Sequence, residues 1–126
     1  MRAVDTNVLV RLITRDDLRQ TNAAEAFVKS GAWISHLVLV ETVWVLDAVY
    51  GISHDRLARM VEMILEHENL TIQDSDTVAA ALSAYRERPA LGFSDCLTLE
   101  VARKAGHMPL ATFDKGLSKL EGAEKI

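Results

Sequence analysis

The chain is short of cysteine, of positive charge and of long apolar runs, and each shortage excludes something. Cys96 is the one cysteine among 126 residues, so no internal disulfide can form, and a reducing cytoplasm is the expected setting. The four histidines, His36, His54, His67 and His107, are scattered and give no zinc-ligand spacing. The formal net charge is −4, which argues against broad, sequence-independent nucleic-acid binding while leaving room for a local basic rim. The longest apolar region, Leu37 to Ile52, is broken by Glu41 and Asp47 and is too short and too charged to cross a membrane. The opening Met1-Arg2-Ala3-Val4-Asp5 reaches an acid at once and lacks the apolar core of a signal peptide. Repeats, low-complexity stretches and linkers are also missing, so a single domain over residues 1–126 is expected.

What is present is a regular alternation of short apolar runs with helical patterns. Ala3-Val4 reads as a first strand ending at Asp5, and Val8, Leu9, Leu12 and Ile13 follow at helical spacing. A second helix is expected over Leu18 to Lys29, stopped by Ser30-Gly31, and a strand over Ala32 to Ser35. A third helix runs from about Leu37 to Tyr50, with Gly51 as its stop. Ser53 is placed to cap a fourth, whose Leu57, Met60, Val61, Ile64 and Leu65 form one apolar stripe. Leu70-Thr71-Ile72 makes a third strand, and Val78, Ala81, Leu82 and Tyr85 mark a helix ended near Pro89. Ser94 is expected to cap a helix from Asp95 to Ala105, with Gly106 at its end. A fourth strand covers Pro109 to Thr112, and the last residues add a short edge strand for which the tail leaves little room. This order predicts an α/β fold with a mainly parallel sheet covered on both faces, and such folds bind ligands beyond the carboxyl ends of their strands.

Carboxylates fall at those places. Asp5 ends the first strand, Asp114 closely follows the fourth, and Asp95 opens a helix, where the dipole favours negative charge. Glu41 lies on the Leu37, Trp44, Val45, Ala48 stripe of the third helix, which predicts a carboxylate facing the core. Such a group is costly unless paired or metal-bound. Four converging carboxylates repel one another, and hard divalent ions such as Mg2+ or Mn2+ relieve that repulsion through all-oxygen coordination. Metal also activates water and stabilises charge on a phosphate, which favours phosphodiester hydrolysis.

Val4-Asp5-Thr6-Asn7, Glu41 within the third helix, Phe93-Ser94-Asp95 and Thr112-Phe113-Asp114 together resemble the PIN-domain nucleases, in particular the VapC-like toxin ribonucleases of toxin–antitoxin pairs. The resemblance runs along essentially the whole chain. It implies a three-layer α/β/α domain, a Mg2+- or Mn2+-dependent endoribonuclease acting on RNA, a homodimer, and a cognate antitoxin that blocks the site. It carries the family's acids onto Asp5, Glu41, Asp95 and Asp114, with Thr6, Asn7, Ser94 and Thr112 as supporting residues that orient carboxylates or waters. On this reading Asp5 and Asp95 contact metal directly, while Asp114 and Glu41 act through waters or complete a second ion site. Attack on phosphorus is in line, giving a 5′-phosphate and a 3′-hydroxyl.

Taken singly, each residue has an ordinary reading. Asp5 suits a helix cap, Asp95 a first helical turn and Asp114 a loop. Cys96 is better read as a small buried hydrophobe than as a nucleophile. Trp33 and Trp44 read as core or dimer surface. Arg11, Arg15 and Arg19 read as solvated surface, with Arg11 nearest to Asp5. Two rival functions are a phospho-acceptor module using Asp74, which lacks an early acid pair because Thr6 follows Asp5, and a PIN scaffold without catalysis.

Overall fold

A computed structural model describes all residues, 1–126. The chain forms two compact units, Met1–Ser75 and Asp76–Ile126.

The first unit holds three strands, β1 (Arg2–Ala3), β2 (Ala32–Ile34) and β3 (Leu70–Ile72), in the order β1-β2-β3. Both pairings are parallel, with Ala3 opposite Trp33 and Trp33 opposite Thr71. Parallel neighbours need long crossovers. Helices α1 (Thr6–Thr14) and α2 (Leu18–Val28) supply the first, and α3 (His36–Ala48) and α4 (His54–Glu66) the second. Side-chain caps start all four helices. Asp5, Asp17, Ser35 and Ser53 accept from the N–H groups of Val8, Gln20, Val38 and Arg56, each satisfying an otherwise orphaned donor. On α4 the buried Leu57, Met60, Val61 and Ile64 follow the expected stripe. Central β2 carries Ala32 and Ile34, both fully buried.

Helix α3 overturns one expectation. Its buried residues are Leu39, Thr42, Val43 and Leu46, not the Leu37–Glu41–Trp44 stripe. Leu37 is 83 % exposed and Trp44 64 %. Thr42 can sit inside because its hydroxyl donates to the Val38 carbonyl at 2.7 Å.

The second unit contains α5 (Ser75–Glu87, from its second residue), α6 (Phe93–Ala105), β4 (Leu110–Thr112), a 3-10 turn at Leu117–Lys119 and β5 (Ala123–Lys125). Tyr85 of α5 meets Phe93 of α6 edge to face, ring centroids 5.7 Å apart. Strands β4 and β5 pair in parallel as a separate two-stranded sheet, with Leu110 opposite Ala123. The short final strand therefore forms, and the Ile126 N–H extends its pairing by donating to the Thr112 carbonyl at 3.0 Å. Ser94 is not the cap of α6: Gly92 occupies that position without a side-chain bond, and Ser94 lies within the first turn. Gly106 ends α6 in the left-handed conformation, as its position suggested.

Candidate active site

Asp5 stands between β1 and α1 and is exposed, with Oδ1 accepting the Val8 N–H at 3.4 Å. The ordinary reading of this residue as a cap is therefore realised. Capping uses one carboxylate oxygen and fixes the side chain beside the positive end of the α1 dipole. Thr6 is buried behind it and Asn7 is exposed. Glu41 lies in the middle of α3 and is exposed, which corrects the expectation of a carboxylate turned into the core. The burial argument for Glu41 falls, and its candidacy rests on position alone.

Asp95 occupies the first turn of α6 and is half-buried, again where a helix dipole favours an anion. Gly92 lies close to it: a Cβ there would be 3.8 Å from Ser94 Oγ and 3.9 Å from Asp95 Oδ2. Asp114 is the most firmly held of the four acids. Its Oδ1 accepts from the N–H groups of Gly116 (2.7 Å) and Leu117 (3.1 Å), and its own N–H donates to Thr112 Oγ1 at 2.9 Å. Thr112 thus meets the backbone of Asp114 rather than its carboxylate.

Each unit supplies two of the four acids. In neither unit do three or more Asp, Glu, His or Cys side chains gather as a metal-holding group. A cavity of about 640 Å3 in the first unit is lined by residues that include Leu12, Val28, Met60, Ile64, Arg56 and Arg59, and by none of the four acids. Cys96 is fully buried, and burial together with the nearby Asp95 and Glu100 charges pushes its thiol up to about 11. That suits a packing residue rather than a nucleophile.

One polar network was not anticipated from the sequence. Arg11 donates to Gln20 Oε1 (2.7 Å), Asp16 Oδ1 (3.1 Å) and the Tyr50 oxygen (3.3 Å). Tyr50 in turn donates to Asp16 Oδ2 at 2.8 Å, and Thr14 to Asp16 Oδ1 at 2.8 Å. Hydrogen bonds from Thr14 and Tyr50 hold the Asp16 carboxyl below its ordinary value, and the bond to Tyr50 raises that of Arg11. Arg15 pairs with Glu25. Arg11 and Arg15 are therefore engaged within the fold rather than simply solvated.

No curated protein matches the chain significantly. The PIN domain family matches residues 2–123, a span that includes all four acids and runs through both units.

Proposed function

Since the chain belongs to the PIN domain family, a family of nucleases, we propose that it is a Mg2+- or Mn2+-dependent endoribonuclease and the toxin of a cytoplasmic toxin–antitoxin pair. On this reading it works as a homodimer restrained by a cognate antitoxin, and its two units act as one nuclease domain. The observation that carries the reading is the position of the acids within the family match. Asp5 follows a strand, Asp114 follows another, Asp95 opens a helix, and Glu41 lies on the intervening helix α3.

Asp5, Glu41, Asp95 and Asp114 are all-oxygen donors, which suits a hard divalent ion in kind. When bound, the metal supplies an activated water and neutralises charge at the phosphate. The residues of the chain set the geometry. Gly116 and Leu117 hold Asp114 Oδ1, leaving Oδ2 outside these two bonds, and the α1 cap holds Asp5. Oxygen from water joins phosphorus in line, the bond to the 3′ oxygen breaks, and that oxygen takes up a proton. The products carry a 5′-phosphate and a 3′-hydroxyl.

The test is sequencing of RNA ends after brief expression of the wild type and of Asp5→Asn, with purified protein assayed with Mg2+ and with chelator. New ends and growth arrest that depend on Asp5, together with cleavage abolished by chelation, are expected. Undiminished cleavage by Asp5→Asn or in chelator would refute the assignment, and cleavage without growth arrest would remove the toxin role alone.

A further inference from the structure

The cavity that none of the four acids lines lies wholly within the first unit, among residues of α1, α2 and α4 and the segments beside them. Its volume, about 640 Å3, falls inside the ~300–1,000 Å3 range of small-ligand pockets. Fourteen residues line it, fewer than the roughly 20–30 that a stable protein interface takes from each side. Half of these are aliphatic or thioether side chains, including Leu12, Val28, Met60 and Met63, and none is Phe, Tyr or Trp. Met63 is 64 % exposed, so apolar surface is open there.

The charged part of the lining runs against the balance of the whole chain. The formal net charge is −4, yet Arg15, Lys29, Arg56 and Arg59 line the cavity against one acid, Glu25. Glu25 is already paired with Arg15. Lys29, Arg56 and Arg59 are exposed and take part in no ion pair. His67 adds a donor, because its Nδ1 accepts the Asn69 N–H at 3.0 Å and leaves the ring proton on Nε2. Aliphatic walls favour an alkyl body, and forked guanidinium donors favour an oxyanion. Without large aromatic rings the cavity has no platform on which nucleobases would stack. We propose that this cavity binds a free, single-chain amphiphile with an oxyanion head, its alkyl chain against Leu12, Val28, Met60 and Met63 and its head met by Arg56 and Arg59. The inference uses none of the four acids and does not rest on the ribonuclease reading.

The test is titration of the full chain with decanoate below its micelle concentration, following the methionine methyl resonances. Met60 and Met63 line the cavity and should shift saturably, while Met108, in the other unit, should not. Decanol lacks the charged head and acetate lacks the chain, so each should bind at least about tenfold more weakly. Arg56→Gln with Arg59→Gln should weaken decanoate about tenfold through lost charge-assisted bonds. Met63→Glu, at an exposed position, should weaken it similarly by repelling the head, and Met63→Leu should keep it. Equal binding of decanol or acetate, or full affinity in the double arginine variant, would overturn the proposal. So would cavity methyls that stay fixed with decanoate but respond to vesicles of anionic lipid, which would assign the patch to a membrane surface. Methyls that respond to protein dilution and not to decanoate would overturn it in favour of a second copy of the chain.

Discussion

Asp114 Oδ1 accepts the Gly116 N–H at 2.7 Å, tying the acid to the turn that follows it. A Cβ on Gly116 would lie 3.3 Å from that oxygen and 3.3 Å from Leu91 Cδ2, so the small residue permits the approach. The contact separates the structural from the chemical role of the acid. Asp114→Asn keeps an Oδ1 acceptor and should fold with nearly wild-type stability while losing RNA cleavage. Asp114→Ala loses both turn bonds and should cost about 1–2 kcal/mol besides. Urea denaturation alongside the cleavage assay checks the split.

Helix α3 offers a contrast between neighbours. Trp44 is largely exposed, and Leu46 is fully buried. Trp44→Ala should change stability by no more than about 0.5 kcal/mol, as for an exposed surface site, whereas Leu46→Ala should cost about 2–5 kcal/mol through lost burial and a residual cavity. Denaturant midpoints at equal protein concentration decide the matter. A large loss in Trp44→Ala would mean that its ring is covered in solution.

The same helix shows where sequence reading stops. Elements with a local signature were legible: the Ser53 cap, the α4 stripe and the Gly106 stop are each written within a few residues. The α/β class with parallel strands followed from their order, and it agrees with the three-layer α/β/α fold of the PIN family. On α3 apolar residues occur on every side of the helix, so periodicity does not identify the inward face. Thr42 took a core position by bonding its own helix, and Glu41 went outward. Division of the strands into sheets of three and two depends on pairing between distant segments, and strands of two or three residues carry no pattern that specifies it. Arg11 reads as solvated from its place in a run of spaced arginines, whereas its bond to Tyr50 joins residues 39 apart, which local charge spacing does not show. The four acids were legible as residue types at strand and helix ends, but their distribution between two units was not.

The Asp16 network predicts a dependence on pH. Thr14 and Tyr50 favour the charged carboxylate, so the folded state holds the Asp16 carboxyl below its unfolded value. Such a group stabilises the fold fully above the unfolded pKa, about 3.9, and loses that contribution as pH falls through the lower folded value. The stability difference between wild type and Asp16→Asn should therefore be constant near neutral pH and shrink only below about pH 4. Tyr50→Phe, which removes one of the favouring bonds, should reduce the difference. Urea midpoints measured from neutral to acid pH test both. A difference that changes between pH 5 and 8 would point to another titrating group.

Gly122 immediately precedes β5 and has φ +94, in the left-handed region that L side chains rarely adopt. Its surroundings are also closed. A Cβ would fall 2.3 Å from Met108 Cε and 3.0 Å from Arg103 Nη2. The methionine end can move, but that guanidinium nitrogen donates to the Glu121 carbonyl at 2.6 Å, while Arg103 Nε donates to Glu100. Displacing it would loosen the tie between α6 and the segment leading into β5. Conformation alone should make Gly122→Ala cost about 1–2 kcal/mol, and loss of the Arg103 bond should add to that. Because β5 pairs with β4, which leads into Asp114, local loosening should appear as faster amide exchange at Leu110 and Ile126, whose N–H groups donate to Gly122 and Thr112 carbonyls. Arg103→Lys, which cannot bond Glu121 and Glu100 in the same forked way, should reproduce the exchange effect with a smaller loss of stability. Wild-type exchange at both amides in Gly122→Ala would show that the turn absorbs the extra methyl without disturbing the strand pair.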